Sequence, residues 1–245
     1  MGCQQCSRDK KKTDLNDLRK QSENEKNNDA KEIIELIEEE DTEIKDDSLI
    51  NISSELKYLN IKKIFLGLQS VYNLYEKNKK EIEEKKYSKK DCVHPSLYAF
   101  YEEKNGYYID YQPSDSKANN VTYIYKNKKN GLRYGKKTFK EFVKNNNICI
   151  IKLKLKKIQN FYDFFQECCK KGEWTKESFN YYSNNCCDFI IIALEILEAG
   201  LKTGDIEKDV LLTNRRENGQ SKESFIPTKL LNYFQKDQNE TDISD

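Results

Sequence analysis

The sequence lacks the features that define several large classes of protein. Its 43 basic and 42 acidic side chains nearly cancel, so no overall charge draws the chain to nucleic acid. Its longest uninterrupted apolar run, residues 189–194, is far shorter than the roughly 18 residues that a membrane-spanning helix needs. We therefore expect no nucleic-acid partner, no transmembrane segment and no secretory signal peptide.

The chain has eight cysteines but only one histidine. Four of the cysteines form the adjacent pairs 168–169 and 186–187, which are poorly placed to cross-link distant segments. We expect reduced thiols in a cytosolic setting, without metal or cofactor. The alternative is a zinc site improvised from Cys92, His94 and the 186–187 pair.

Charged residues make up 35% of the chain and apolar residues 36%, a balance typical of one modest core with long solvated segments. Within residues 31–47, nine acidic side chains stand against two lysines. We expect an N-terminal region with an acidic spacer at residues 1–52, one folded domain at residues 53–235, and a polar tail at residues 236–245.

The N-terminal residues resemble a lipidation signal. Gly2 follows the initiator methionine, and Cys3 and Cys6 lie within a few positions. Gly2 is then the candidate for myristoylation, and the two cysteines are candidates for palmitoylation. The strict myristoylation pattern has Ser or Thr at position 6, whereas here Ser7 comes one residue late. Because a second acyl chain makes membrane binding stable, we expect attachment to the cytoplasmic face of a membrane; the alternative is an unmodified terminus.

The most apolar helix of the chain is predicted to begin at Cys186. Asn185 is a good N-cap residue, and Asp188 lies where an acid can accept from the unpaired N–H groups of the first turn. Apolar residues occupy nearly every side of this helix, so we expect it to be central and buried, ending at a C-cap at Gly200. A thiol in its first turn has a lowered pKa, because the helix N-terminus favours the thiolate.

The rest of the domain reads as α+β. Apolar spacing predicts a helix over residues 61–75, added on the N-terminal side of the core. Tyrosine-rich and alternating segments then predict an antiparallel sheet with strands at residues 94–101, 107–111, 121–125, 132–134 and 148–155. The Asn-Gly pairs at 105–106 and 130–131 predict tight turns within it. Further helices are expected at residues 158–168, ending at Gly172, and from Pro227 onward.

His94 at the start of the first predicted strand and Cys186 at the start of the buried helix are candidate base and nucleophile. A cysteine nucleophile needs a base within hydrogen-bond reach and N–H groups for the oxyanion. The Cys186 backbone N–H, next to the capping Asn185, is the candidate oxyanion donor. Cys187 is a rival nucleophile one position along the helix.

The segment Tyr181-Tyr-Ser-Asn-Asn-Cys-Cys-Asp-Phe189 resembles the cysteine motif of the circularly permuted papain-like folds. These include the PPPDE peptidases, or desumoylating isopeptidases, and the lecithin:retinol acyltransferase group. Both have Asn-Cys-x-His-Phe or a close variant, with the catalytic histidine upstream; here Asp188 replaces the motif's histidine. The segment beginning His94-Pro-Ser-Leu-Tyr resembles the histidine strand. The resemblance implies a permuted papain-like α+β fold, with an antiparallel sheet packed on the central helix.

The resemblance also implies a function. A Cys186/His94 dyad would hydrolyse an acyl bond, an isopeptide or a thioester, in a protein or ubiquitin-like conjugate near the membrane. The glycine-rich and Glu-Tyr patterns of the PPPDE histidine region are absent, and the second histidine of the acyltransferase group is absent too. The single histidine favours the PPPDE type over a phospholipid acyltransferase. The alternative is a catalytically inactive, lipid-anchored adaptor of the same fold.

A third catalytic residue is not predicted from the sequence. If Asn105-Gly106 forms a two-residue turn, Asp110 lies opposite Tyr101, seven residues from His94. At about 3.3 Å per residue the separation is more than roughly 20 Å, which excludes Asp110 as the group that orients His94.

Overall fold

The structure, a computed structural model, describes residue 35 and residues 55–112, 121–123, 132–135, 138–146, 148–175, 177–213 and 222–241. The predicted lipidation sites Gly2, Cys3 and Cys6 lie outside the described residues. In the described part of the chain, no helix has both the length and the apolar character needed to cross a membrane.

The described chain has an α+β architecture built on one antiparallel sheet of eight strands. The strands are β1 (Lys63–Ser70), β2 (Val93–Phe100), β3 (Gly106–Tyr111), β4 (Val121–Tyr123), β5 (Leu132–Gly135), β6 (Cys149–Leu155), β7 (Ala199–Leu201) and β8 (Val210–Thr213). The sheet order is β4-β5-β3-β2-β1-β6-β7, and β8 also pairs with β6. The predicted antiparallel sheet is confirmed.

Six helices surround this sheet in the described residues. They are α1 (Tyr72–Glu84), α2 (Phe139–Asn145), α3 (Phe161–Lys171), α4 (Cys186–Ile196), α5 (Ile206–Asp209) and α6 (Thr228–Thr241). The larger core lies between the sheet and α3, α4 and α6. A smaller aromatic core lies where α2 packs on the opposite face, with Phe65, Tyr98 and Phe100 from the sheet against Phe139 and Phe142. Central strands are therefore buried on both faces.

The helix predicted over residues 61–75 is wrong, because residues 63–70 form strand β1. Ile64, Leu66 and Leu68 belong to the larger core, whereas Phe65 belongs to the smaller one. A strand buried on both faces loses the alternation of apolar and polar residues, and its apolar run is then hard to distinguish from a helix. The helix in this region, α1, begins only at Tyr72.

The predicted strand positions in the middle of the chain are confirmed where the structure describes them, but the predicted β2–β3 turn is wrong. Residues 124–125 and the predicted turn at 130–131 lie outside the described residues. Phe100 pairs with Gly106, so the loop spans residues 101–105. The backbone N–H groups of Tyr101 and Glu102 both donate to the Asn105 carbonyl. A Cβ at Gly106 would lie 2.4 Å from a ring carbon of Tyr98, so this glycine permits close strand packing. Compared with a two-residue turn, β3 is displaced by several residues along β2.

The start of helix α4 agrees with the prediction, but its end does not. The helix ends at Ile196, with Leu197 as the C-cap, and Glu198 has a left-handed φ of 47°. Gly200 is not a C-cap, because it lies in β7 and pairs with Lys154 of β6. The chain thus passes from the central helix directly into the sheet.

Of the helices α2, α3 and α6, two are predicted from the sequence and one is not. Helix α3 ends at Gly172 as predicted, and α6 follows Pro227 but continues to Thr241, into the segment predicted as a tail. Helix α2 was not predicted. It begins with a capping box in which Thr138 accepts from the Glu141 N–H and Glu141 accepts from the Thr138 N–H.

Candidate active site

Cys186 is held at the first position of α4 by a complete capping box. The Asn185 side chain accepts hydrogen bonds from the N–H groups of Cys187 and Asp188, and the Asp188 carboxylate accepts from the Asn185 N–H at 3.0 Å. The Asn185 amide also donates to the Tyr181 carbonyl at 2.7 Å. The predicted N-cap is confirmed, and it fixes the backbone on both sides of the thiol.

The beginning of α6 braces the segments that carry the two candidate catalytic residues. Lys229 Nζ lies 2.7 Å from the Asp188 carboxylate and donates to the Tyr182 carbonyl at 3.1 Å. The Thr228 N–H donates to Asp91, just before β2, at 2.8 Å. The first two residues of α6 therefore bind both the start of the cysteine helix and the segment that precedes the histidine strand.

His94 lies near the start of β2, and its imidazole is almost fully buried. Its Nε2 lies 2.8 Å from Oδ2 of Asp110 and 3.2 Å from the side-chain nitrogen of Gln112. The exclusion of Asp110 as an orienting group is therefore wrong. With Phe100 opposite Gly106, continuing the same register places Asp110 only two residues from His94 along the paired strands.

Asp110 is fully buried and accepts hydrogen bonds from three side chains. Arg133 donates to both carboxylate oxygens, through Nε at 2.7 Å and through a second guanidinium nitrogen, and the Tyr108 hydroxyl donates at 2.6 Å. The third donor is His94. Burial opposes ionisation, but the hydrogen bonds from His94 and Arg133 hold the pKa of Asp110 well below its usual range.

The buried hydrogen bonds continue beneath β2. Ser96 contacts the Tyr108 hydroxyl and donates to Asn146 at 3.1 Å, and the Asn146 amide donates to the Phe142 carbonyl at 2.8 Å. A Cβ at Gly67 would lie 2.3 Å from the Asn146 side chain, so only glycine leaves room for it. We call six of these buried side chains the polar cluster: His94, Ser96, Tyr108, Asp110, Arg133 and Asn146.

Cys186 and His94 come from different layers of the fold, and their side chains interact electrostatically. The Cys186 Sγ also lies 3.8 Å from the Val93 carbonyl oxygen. A hydrogen bond from Cys187, together with the hydrogen bond and charge of His94, lowers the pKa of Cys186 to about 5 despite burial. Burial opposes the imidazolium, but hydrogen bonds to Asp110 and Cys186 raise the pKa of His94 to about 9. The thiolate–imidazolium pair is thus the stable form near neutral pH.

Cys187, the rival nucleophile, has the opposite tendency. Its hydrogen bond to Cys186, followed by burial, raises its pKa well above the ordinary value, so it remains a thiol and a donor. Burial also raises the pKa of Cys92, which lies on the same cavity. Cys186 is therefore the thiolate of this group.

The dyad lies on the wall of a cavity of about 420 Å³, within the size range of pockets that hold small ligands. Helix α1, the segment before β2 and the loop before α4 form its other walls. Other residues that line the cavity are Ile82, Tyr111, Gln112, Phe179, Tyr181 and Tyr182. A substrate has access to the thiol from this side.

The metal alternative receives no support within the described residues. No group of three or more His, Cys, Asp or Glu side chains there is arranged to hold a metal ion. The six cysteines of this part of the chain are free thiols, including the buried Cys149 and Cys168. His94 instead directs its Nε2 toward Asp110 and Gln112, and it also interacts with Cys186.

Two residues of the site were missed in the sequence, Arg133 and Gln112, and a third, Asp110, was considered and excluded. The signal for two of them was present, because Asp110 lies within the predicted strand 107–111 and Arg133 within the predicted strand 132–134. One acid and one base, each inside an otherwise uncharged strand, are unusual unless they pair. Gln112 directly follows a strand and carries no such signal.

Comparisons with known proteins identify no relative of this chain. No protein-family model, no curated protein and no solved structure matches it. The similarity of its cysteine and histidine segments to the permuted papain-like folds therefore stays a prediction, and the chemistry of the site is to be inferred from its own residues.

Proposed function

We propose that this protein is a cysteine hydrolase that cleaves an acyl bond, an isopeptide or a thioester, with Cys186 as nucleophile, His94 as acid and base, and Asp110 as the residue that orients His94. The observation that carries the proposal is the series Cys186–His94–Asp110 on the wall of an accessible cavity, in which His94 interacts with the Cys186 thiol and bonds to Asp110 at 2.8 Å. Each member has the protonation state that its role requires.

In the acylation step, the Cys186 thiolate attacks the substrate carbonyl carbon and a C–S bond forms. The carbonyl electrons move to oxygen and give a tetrahedral oxyanion. When this intermediate collapses, the bond to the leaving amine or thiol breaks, and the leaving group takes the proton of the His94 imidazolium. The product is a thioester on Cys186 with a neutral imidazole beside it.

In the deacylation step, neutral His94 removes a proton from water, and the resulting hydroxide attacks the thioester carbonyl. The C–S bond breaks, the acid is released, and Cys186 returns as the thiolate beside a protonated imidazole. Because Asp110 holds Nε2, the other ring nitrogen, Nδ1, serves Cys186 and the reacting groups. Asp110 is a positioning residue in this scheme, because it acts through the imidazole.

The backbone N–H of Cys186 supports the proposal as an oxyanion donor. It has no hydrogen-bond acceptor among the residues that the structure describes, whereas the next two N–H groups are capped by Asn185. Both polar groups of the Asn185 side chain are engaged, so its role is to cap the helix. An uncapped N–H at a helix N-terminus is well placed to stabilise developing negative charge.

We further propose the circularly permuted papain-like arrangement and membrane tethering through Gly2, Cys3 and Cys6. In favour of the first, the histidine strand β2 precedes the cysteine helix α4 in the chain, and the orienting acid comes from the neighbouring strand β3. The tether is supported by the sequence pattern, and it would place the enzyme near membrane-bound protein conjugates.

The alternative of an inactive adaptor accounts poorly for the site. A protein without catalysis has no need for a lowered thiol pKa, a raised imidazole pKa and a buried carboxylate in one series of hydrogen bonds. Such perturbed groups on a cavity wall favour the hydrolase.

The direct test is Cys186→Ala against Cys169→Ala, a matched change at a half-buried thiol of α3. Both proteins are incubated with a panel of peptide thioesters and with a thiol-directed acyl probe. We expect Cys186→Ala to lose hydrolysis and labelling completely, and Cys169→Ala to retain both. Full activity in Cys186→Ala would refute the assignment.

A further inference from the structure

The cavity beside Cys186 is lined by aromatic and aliphatic side chains along most of its surface. On one wall, the rings of Tyr111, Phe179 and Tyr181 follow one another, with centroid distances of 5.3 Å and 5.1 Å between neighbours. Tyr111 is buried against Trp174, whereas Tyr181 is 54% exposed at the outer end. We call these three rings the aromatic wall.

The opposite wall comes from α1 and from the residue that precedes it. Ile82 is buried on α1 and faces the cavity, and Val71 lies just before the helix. Tyr182 is held in place because its carbonyl accepts from the Tyr87 hydroxyl at 2.8 Å. Apolar side chains therefore line both walls of the cavity on which Cys186 lies.

Apart from the Cys186/His94 dyad, the charged side chains described on the cavity lining are all acidic. Among the described lining residues there is no lysine or arginine, but there are two acids, Glu81 and Asp91. Lys85, which lies over the Tyr182 ring at 5.7 Å, is not a lining residue. The described lining therefore offers no fixed cation for a phosphate, a sulfate or a free carboxylate outside the dyad.

Both acids are already engaged in local contacts. Asp91 accepts from the Thr228 N–H through one oxygen and from the Ser88 N–H and hydroxyl through the other. Glu81 lies beside the Tyr182 side chain. They add negative potential to the cavity, which disfavours anionic substrates and favours cationic ones.

We infer that this site accepts a bulky apolar acyl group, seated against the aromatic wall and joined to an uncharged or cationic leaving group. The inference rests on the proposed function, because it names the substrate class of the same nucleophile. A slim glycine-glycine tail would leave the aromatic wall unfilled, and an anionic headgroup would meet two acids without a cation.

Alkylation of Cys186 tests the inference without requiring turnover. The full chain is treated with iodoacetamide, N-(2-phenylethyl)iodoacetamide and N-(2-sulfoethyl)iodoacetamide, and the rate at Cys186 is followed by peptide mass spectrometry. Burial of a phenyl group predicts a rate for the phenylethyl reagent about tenfold above that of iodoacetamide. The anionic reagent of similar length is expected to react more slowly than iodoacetamide.

Two substitutions locate the effect. Tyr181→Ser shortens the aromatic wall at an exposed position and is expected to reduce the phenylethyl preference at least threefold; Tyr58→Ser, a matched change at a residue that is 83% exposed elsewhere, is expected to leave it unchanged. Equal rates for the three reagents, or a preference for the sulfoethyl reagent, would overturn the inference. Unchanged preference in Tyr181→Ser would overturn the role of the aromatic wall.

The result is separable from that of the hydrolysis test. If Cys186→Ala retains hydrolysis while the phenylethyl preference is present, the proposed function fails and the apolar site stands. If hydrolysis requires Cys186 but the three reagents react equally, the hydrolase stands and the substrate class proposed here is wrong.

Discussion

The start of α4 and the polar cluster behind His94 are assembled in opposite ways. Asn185, Cys186 and Asp188 lie within four residues, so their geometry follows from local capping. The polar cluster draws Asp110 from β3 and Arg133 from β5 to reach His94 on β2. The nucleophile is thus specified by neighbours in sequence, and the base is specified by strand register.

The two regions also differ in how they carry charge. The Cys186 thiolate and the His94 imidazolium balance each other, as do the Asp110 carboxylate and the Arg133 guanidinium. The four charges sum to zero in a buried site, which avoids the large cost of an uncompensated charge. Removing one charged side chain from the polar cluster should therefore lower the free energy of unfolding much more than removing the N-cap side chain of α4.

The largest effect on stability is expected for Asp110→Asn. Arg133 is almost fully buried and would lose its ion pair with Asp110. Breaking a buried ion pair by removing one partner costs about 3–5 kcal/mol. Urea unfolding of Asp110→Asn should show a loss of this size, together with a large fall in hydrolysis. A loss below about 1 kcal/mol would mean that the guanidinium is not buried as described.

A double variant separates orientation from stability. Adding Arg133→Gln to Asp110→Asn removes the buried cation as well as its carboxylate, so most of the lost free energy of unfolding should return. Hydrolysis should remain low, because the carboxylate that holds His94 Nε2 is still absent. Recovery of full activity along with stability would show that Asp110 serves only the fold.

A smaller loss is expected for Gly67→Ala, at the far side of the polar cluster. The new methyl would lie 2.3 Å from the Asn146 side chain, so the amide must leave its contacts with Ser96 and Phe142. Overpacking of this kind typically costs about 1–3 kcal/mol. In an Asn146→Ala background the same change should cost little, and equal costs in both backgrounds would contradict the assigned clash.

The smallest of these effects is expected at the cap. Asn185→Ala should destabilise the protein by about 1 kcal/mol, and Asn160→Ala, which removes the cap of α3, should cost about the same. Only Asn185→Ala should also slow alkylation of Cys186, because it frees the backbone next to the thiol. If both variants slow alkylation equally, local capping does not control the nucleophile.

The contrast also explains how much of the site was readable in the sequence. The cap at Asn185, the burial of α4 and most strands follow from patterns only a few residues long. The exclusion of Asp110 depends on a two-residue turn at Asn105-Gly106. In the structure Gly106 instead lies in β3, where the absence of a Cβ lets the Tyr98 ring pack against it. Because the predicted loop is too short, the predicted register places the Asp110 carboxylate too far from His94.

The β1 and Gly200 errors have a related cause. Residues 63–70 read as a helix because the second layer, α2 on the other face of the sheet, removed the alternation that marks a strand. Gly200 looked like a helix end because the return of the chain into the sheet at β7 is a tertiary event. Neither the second layer nor the sheet pairing has a signature in a short window of sequence.

The most direct test of the account is the rate of alkylation of Cys186 as a function of pH, in the native sequence and in His94→Gln. The thiolate–imidazolium pair predicts that the native rate rises with a midpoint near pH 5 and changes again near pH 9, as the imidazolium loses its proton. In His94→Gln the first midpoint should move upward, because the charge that favours the thiolate is removed while the contact from Cys187 remains. A midpoint near the ordinary thiol value in both proteins would show that His94 does not activate Cys186.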